Sequence, residues 1–215
     1  ENAEQTAGLK QVGNIRLAMN QDRMDEYHQY AGVAQTIGVK FDFVTPDEVR
    51  EMWPLCNTEG LVGALVHPDD GYVQPADLTQ AFAKGARNGG AEIYRNTCVT
   101  NITQKPNGEW LITTDKGEIT CEHVVSATGN FARKTGEMIG LDIPVIPVEH
   151  QFIVTEPHPD ILARQKEGLP EMGVLRESDG GWYMREEAGG FILGPYEHGA
   201  PCCYVDGPSD DCEYE

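Results

Sequence analysis

The sequence predicts a mixed α/β fold, and three stretches predict it. First, Pro75 opens a run in which Leu78, Ala81, Phe82, Gly85 and Ala86 recur at helical spacing, an apolar face closed by Gly89-Gly90. Second, residues 98–127 read as a β-meander, with runs rich in β-branched residues separated by Lys105-Pro106-Asn107-Gly108 and Asp115-Lys116-Gly117. Third, strand-like runs follow Gly140, at roughly 147–155, 173–177, 181–186 and 190–195. Helices and strands are mixed in order, so two interleaved units are expected rather than one uniform layer.

Taken along the chain, Val12–Ala18 reads as a strand. Asn20-Gln21-Asp22 offers a cap to a helix over Arg23–Thr36, whose apolar face is Met24, Tyr27, Tyr30, Ala31 and Ala34, with Gly38 as its stop. Lys40–Val44 is a strand. Thr45 then caps a short helix starting at Pro46, and Glu48 at its third position completes a capping box. Trp53-Pro54-Leu55 breaks that helix, and Gly60–His67 is the next strand. After the Pro75 helix, Ala91–Tyr94 reads as a short strand. The meander runs through 98–104, 109–114, 118–121 and 123–127, and a helix over Asn130–Ile139 follows, with Asn130 as N-cap.

The formal charge is −19, from 35 Asp and Glu against 16 Lys and Arg. That argues against a nucleic-acid partner, which needs clustered basic residues. No apolar run approaches the length of a membrane span, and the polar start carries no secretory pattern, so a secreted protein is not expected. The start, ENAEQTAGLK, lacks Met and enters mid-pattern, as an internal segment of a longer protein would. Cys56, Cys98 and Cys121 sit singly and are expected as buried free thiols. Cys202, Cys203 and Cys212 cluster near His198 without zinc-ligand spacing, so no metal is expected. The tail, 201–215, is acidic and reads as a connecting arm.

The stretch HPDDGYVQPADLTQAFAKGARNGGAEIYRNTCVTNI (67–102) resembles the flavin amine oxidoreductases of the D-amino-acid oxidase type, in their dimethylglycine and sarcosine dehydrogenase branch. QVGNIRLA (11–18), VVSATGNFAR (124–133), PVEHQFIVTEP (147–157) and WYMREEAGGFILGPYE (182–197) extend the resemblance in the same order. It implies part of a glutathione-reductase-like FAD-binding domain, over 68–140, interleaved with an antiparallel-sheet substrate domain, over 1–67 and 141–200. It also implies a mitochondrial matrix location in a eukaryote and a cytoplasmic one in a bacterium.

The family's glycine-rich phosphate fingerprint, G-x-G-x-x-G, is absent, so this chain is expected to carry part of an FAD site without its main phosphate grip. By resemblance, Val99 presents its backbone to the adenine end of FAD, and Ala127-Thr128-Gly129 ends a strand against the cofactor. From the residues alone, Val99 is equally an ordinary strand position and Gly129 an ordinary turn glycine. His150 in PVEHQFIV reads as a strand residue alongside Phe152 and Val154, where most histidines are structural. By resemblance, however, it lies near the flavin's reactive face. Tyr183 in GWYMRE matches a tyrosine beside the substrate amine and flavin, and otherwise reads as a core aromatic. Arg185 fits either a substrate carboxylate or an ion pair with Glu186 or Glu187.

The activity so implied is oxidative N-demethylation of dimethylglycine or sarcosine by hydride transfer to FAD. It involves a small amine substrate and a separate electron acceptor, and tetrahydrofolate is used only if a further domain supplies its site. Two alternatives share the same stretches. One is a regulatory protein like the regulatory subunit of pyruvate dehydrogenase phosphatase. The other is a flavoprotein acting on another amine or a glycerol phosphate.

Overall fold

A computed structural model describes residues 7–204 of the chain. The alternation of Asn14 and Arg16 with Ile15 and Leu17 makes β1 (Asn14–Ala18) a strand with one polar and one apolar face. Asn20 caps α1 (Gln21–Thr36) by accepting the Arg23 N–H, and Tyr27, Ala31 and Ala34 form its buried face. After β2 (Asp42–Val44), Thr45 and Glu48 form the expected capping box on α2 (Pro46–Met52). β3 (Gly63–His67) follows, and then α3 (Pro75–Asn88) with Pro75 in its first turn.

The meander comprises β4 (Val99–Gln104), β5 (Trp110–Thr114) and β6 (Gly117–Cys121), antiparallel in that order. Beyond it a 3-10 turn at Gly129–Phe131 leads into α4 (Ala132–Glu137). The chain then forms β7 (Ile153–Val154), α5 (Pro159–Lys166), β8 (Val174–Glu177), β9 (Trp182–Glu187) and β10 (Gly190–Pro195).

Two compact units result. One holds the chain up to Gly90 together with His150–His198, and the other holds Ala91–Glu149 with the residues from Gly199 onward. These contact boundaries fall elsewhere than 67/68 and 140/141, because α3 groups with the first unit and residues 141–149 with the second. That unit is built on a seven-stranded sheet in the order β2-β3-β1-β8-β9-β10-β7. All neighbours are antiparallel except β1 and β8, which run parallel where the chain returns to the sheet.

One face of this sheet carries the core. Ile15, Leu17, Ala64, Val66 and Leu175 pack with Val49 and Trp53 from the α2 region and Ile161 from α5. Trp53 is 2% exposed, donates its indole N–H to Gly173 O at 2.7 Å and stacks on Phe191. Burying each such side chain contributes roughly 1.5–3 kcal/mol. The opposite face is apolar only beneath α1, where Ala18, Tyr27 and Leu65 cluster.

Several expectations change. Ala91–Tyr94 and His123–Ala127 are not strands, because no ladder partner lies beside them among the described residues. Asn130 sits inside the 3-10 turn and caps nothing. The run expected at 147–155 is a strand only at Ile153–Val154, and α5 was not foreseen. The apolar face of α3 forms, yet none of its residues is buried and Phe82 is 72% exposed. Cys98 is exposed and Cys56 and Cys121 are free but only half-buried; Cys56 packs against the edge of the core, and burial pushes its thiol up. Among the described residues no His, Cys, Asp or Glu group is arranged to hold a metal, and no helix is long and apolar enough to cross a membrane. Cys212 and most of the acidic tail lie outside the described residues.

Candidate active site

The polar face of the seven-stranded sheet gathers the chemistry of the first unit. Register places Asn14 opposite His67 on β3 and Val174 on β8, Arg16 opposite Arg176, and Arg176 opposite Tyr183 on β9. Because side chains alternate along a strand, these residues and Arg185 point to one side. They line a concave surface with a cleft of about 300 Å³ among Asn14, Asp70, Tyr72, Arg176, Tyr183 and Tyr196.

Tyr183 lies across β10 at Gly194, its register partner. A β-carbon at Gly194 would fall on the Tyr183 ring, so glycine is what lets the phenol lie flat there. Tyr196 leans against Tyr183 with ring centroids 5.8 Å apart, and against His150 at 5.4 Å. His150 is in a loop before β7, not on a strand, and Phe152 and Val154 beside it are exposed. Its position is set by Tyr196 and by Glu197, whose carboxylate lies 3.1 Å from the imidazole Nδ1. The Glu197 backbone N–H, then His150, hold that carboxyl below its ordinary range. An ionised carboxylate only accepts, so Nδ1 carries the proton and Nε2 of a neutral ring is left as an acceptor.

Arg185 lines the same cleft but has protein partners. Its guanidinium donates to Glu187 at 2.5 Å and to Glu186 O at 2.8 Å, and stacks 4.0 Å over the Tyr72 ring. Its side chain is only 13% exposed. Tyr72 in turn donates to Glu171 at 2.5 Å; burial first, then that bond, raise its hydroxyl pKa. Tyr196, Glu197, Gly194 and the Arg16–Arg176 pair were not singled out from the sequence. The alternation of polar and apolar residues along 14–17 was the available signal for Arg16.

The residues expected to meet FAD belong to the second unit. Val99 opens β4, pairs with Thr114 beside a bulge and is partly exposed. Ala127 and Thr128 lie in an exposed loop, and the Thr128 hydroxyl meets Ser126 and Thr135 at 3.2 Å. Gly129 has φ +53° with open space around the position of a β-carbon. Backbone conformation, not crowding, therefore demands glycine there. Small residues on an open backbone fit the approach of a planar group, but no strand–turn–helix glycine cradle for phosphates is present among the described residues. The set fits a fraction of an FAD site.

Residues 1–213 match the family model described as DAO, FAD dependent oxidoreductase. The chain is 37% identical to the mitochondrial dimethylglycine dehydrogenase of Rattus norvegicus over 197 residues, 92% of this chain and 22% of that protein. It is 30% identical to the mitochondrial pyruvate dehydrogenase phosphatase regulatory subunit of Mus musculus over 202 residues, 93% of this chain and 22% of that one. The crystal structure of L-proline dehydrogenase from P. horikoshii matches with a TM-score of 0.76 at 26% identity, covering 93% of this chain and 52% of that chain. The chain thus spans about a fifth of the length of these curated relatives.

Proposed function

The chain belongs to the FAD-dependent oxidoreductase family, and we propose that the protein carrying it oxidatively demethylates an N-methylated glycine, dimethylglycine or sarcosine. The observation that carries this reading is the array His150–Tyr196–Tyr183, which links an imidazole from the loop before β7 to a phenol on the polar sheet face. The 37% identity to a dimethylglycine dehydrogenase supports the substrate class.

FAD, when bound, supplies the acceptor for a hydride from the N-methyl carbon. Val99, Ala127, Thr128 and Gly129 are the residues of this chain that would lie against it. Hydride loss requires a free nitrogen lone pair, so the ammonium proton must leave first. His150 Nε2 takes that proton, and Glu197 on the opposite nitrogen stabilises the resulting imidazolium. The Tyr183 hydroxyl holds the amine nitrogen, and Tyr196 keeps both rings in place. Reoxidation needs a separate electron acceptor, and tetrahydrofolate as a one-carbon acceptor draws on none of the residues described.

The test is product analysis. The intact protein, given dimethylglycine or sarcosine and an artificial electron acceptor, is expected to release formaldehyde with the demethylated amine. A protein that purifies without flavin and yields neither product acts instead as the regulatory relative does, and the enzymatic reading fails.

A further inference from the structure

We infer that Cys202 and Cys203 form an oxidisable dithiol, which hydrogen peroxide closes to a vicinal disulfide, and that closure opens the chain pairing that leads to His150. The two are consecutive free thiols, Cys202 exposed and Cys203 half-buried. Adjacency in the chain gives each thiol its partner at a high effective concentration, which thiols on separate elements lack. Exposure of Cys202 gives a small oxidant access to the pair.

The dithiol sits in a short antiparallel pairing. The Cys203 N–H donates to Pro147 O at 3.0 Å, Cys202 bridges Val148, and the Glu149 N–H donates to Pro201 O at 3.0 Å. Directly after Glu149, the His150 imidazole meets the Glu197 carboxylate, 3.1 Å from its Nδ1. His150 is therefore held in two ways. Glu197 and Tyr196 fix its side chain, and this pairing fixes the backbone that leads into it.

The pairing and a disulfide exclude each other. Successive side chains of an extended segment point to opposite sides, whereas a disulfide needs its β-carbons about 3.8 Å apart. Joining Cys202 to Cys203 turns the peptide between them, which carries the Cys203 N–H away from Pro147 O. The chemistry balances with peroxide alone. The Cys202 thiolate attacks one peroxide oxygen, an S–O bond forms, the O–O bond breaks, and the departing hydroxide takes up a proton to become water. The Cys203 thiolate then attacks that sulfur, the S–O bond breaks, and a second water leaves. The two thiols lose two electrons and two protons, and one peroxide becomes two waters. A strained, exposed disulfide is readily reduced again, as a reversible device requires.

The experiment treats the intact protein with hydrogen peroxide, blocks the remaining thiols with iodoacetamide and maps the peptides by mass. The peptide carrying Cys202 and Cys203 is expected to be two hydrogens lighter and unalkylated, and to regain both thiols with dithiothreitol. Amide exchange over residues 148–150 should quicken roughly 5- to 10-fold on oxidation and return on reduction. The consequence for catalysis rests on the demethylase reading above. Flavin reduction by dimethylglycine should slow roughly 10- to 100-fold as His150 is displaced, and recover with dithiothreitol. Cys203→Ser should reduce its flavin at the parent rate and keep that rate after peroxide treatment. A disulfide from either cysteine to Cys212, or two thiols oxidised separately, overturns the assignment. So does a vicinal disulfide that leaves exchange over 148–150 unchanged, and equal flavin reduction by the open and closed forms overturns the link to His150. Closure with quickened exchange, in a protein that no N-methylglycine reduces, leaves the dithiol standing and defeats the demethylase reading instead. Mapping and exchange use the unaltered protein, so they decide even where Cys203→Ser does not fold.

Discussion

Gly194→Ala is the substitution whose effect the sheet geometry dictates most directly. Gly194 faces Tyr183 across the β9–β10 ladder, and a β-carbon there would coincide with the phenol ring. Either the ring leaves its rotamer or β10 retreats, and overpacking of this kind costs about 1–3 kcal/mol. The cost comes from one pair, so it must vanish when the ring is removed. In a Tyr183→Ala background the same substitution is expected to cost close to nothing, giving a coupling energy of about 1–3 kcal/mol. Urea denaturation of the four proteins of the cycle measures it. The reductive half-reaction supplies a second reading, since displacing a positioning group by about 1 Å lowers the rate by roughly 100-fold. Additive stability losses, or a Gly194→Ala protein that reduces flavin at the parent rate, would refute the placement of Tyr183.

The other predictions concern the core, the pH dependence and the proton acceptor. Trp53→Ala removes a side chain 2% exposed at the centre of the first unit together with its bond to Gly173, and should cost about 3–5 kcal/mol in denaturant titration. The Arg23 guanidinium beside Asp179, with Asn20, holds the Asp179 carboxyl below its ordinary range. A lowered folded pKa stabilises above the unfolded value near 4 and is lost as pH falls through the folded one. Arg23→Gln should therefore lower the unfolding free energy slightly at pH 7, by at most about 1 kcal/mol and less in high salt, and converge with the parent in acid. His150→Gln should slow flavin reduction more at about pH 8 than above about pH 10, where the amine sheds its proton unaided. A pH-independent loss would remove His150 as the proton acceptor.

Much of the fold is legible because its signals are local. The Thr45–Glu48 capping box, the Asn20 cap and the three meander strands depend on neighbours within a few residues, and each appears where its sequence places it. What the sequence hides depends on partners. Ala91–Tyr94 and His123–Ala127 have strand composition, but a strand exists only through its ladder, and no partner lies among the described residues. The face of α3 has the period of a buried helix, yet the structure covers it only in part and buries none of its residues. Helix α5 is hidden from the sequence because Pro157 and Pro159 suit a loop equally well, whereas Pro159 occupies its first turn behind a histidine cap. At the site, Tyr183 and His150 stood out by resemblance. The residue joining them, Tyr196, is brought close only by the β9–β10 pairing and the loop before β7, and Arg16 meets Arg176 only because the chain returns to the sheet in parallel.

The most direct measurement of the central claim is the anaerobic flavin spectrum of the intact protein on adding dimethylglycine and then sarcosine. An N-methylglycine oxidoreductase loses its oxidised flavin bands with one or both, in a single exponential whose rate saturates with substrate. Bound flavin that stays oxidised with both amines, under conditions where dithionite reduces it, would contradict the account.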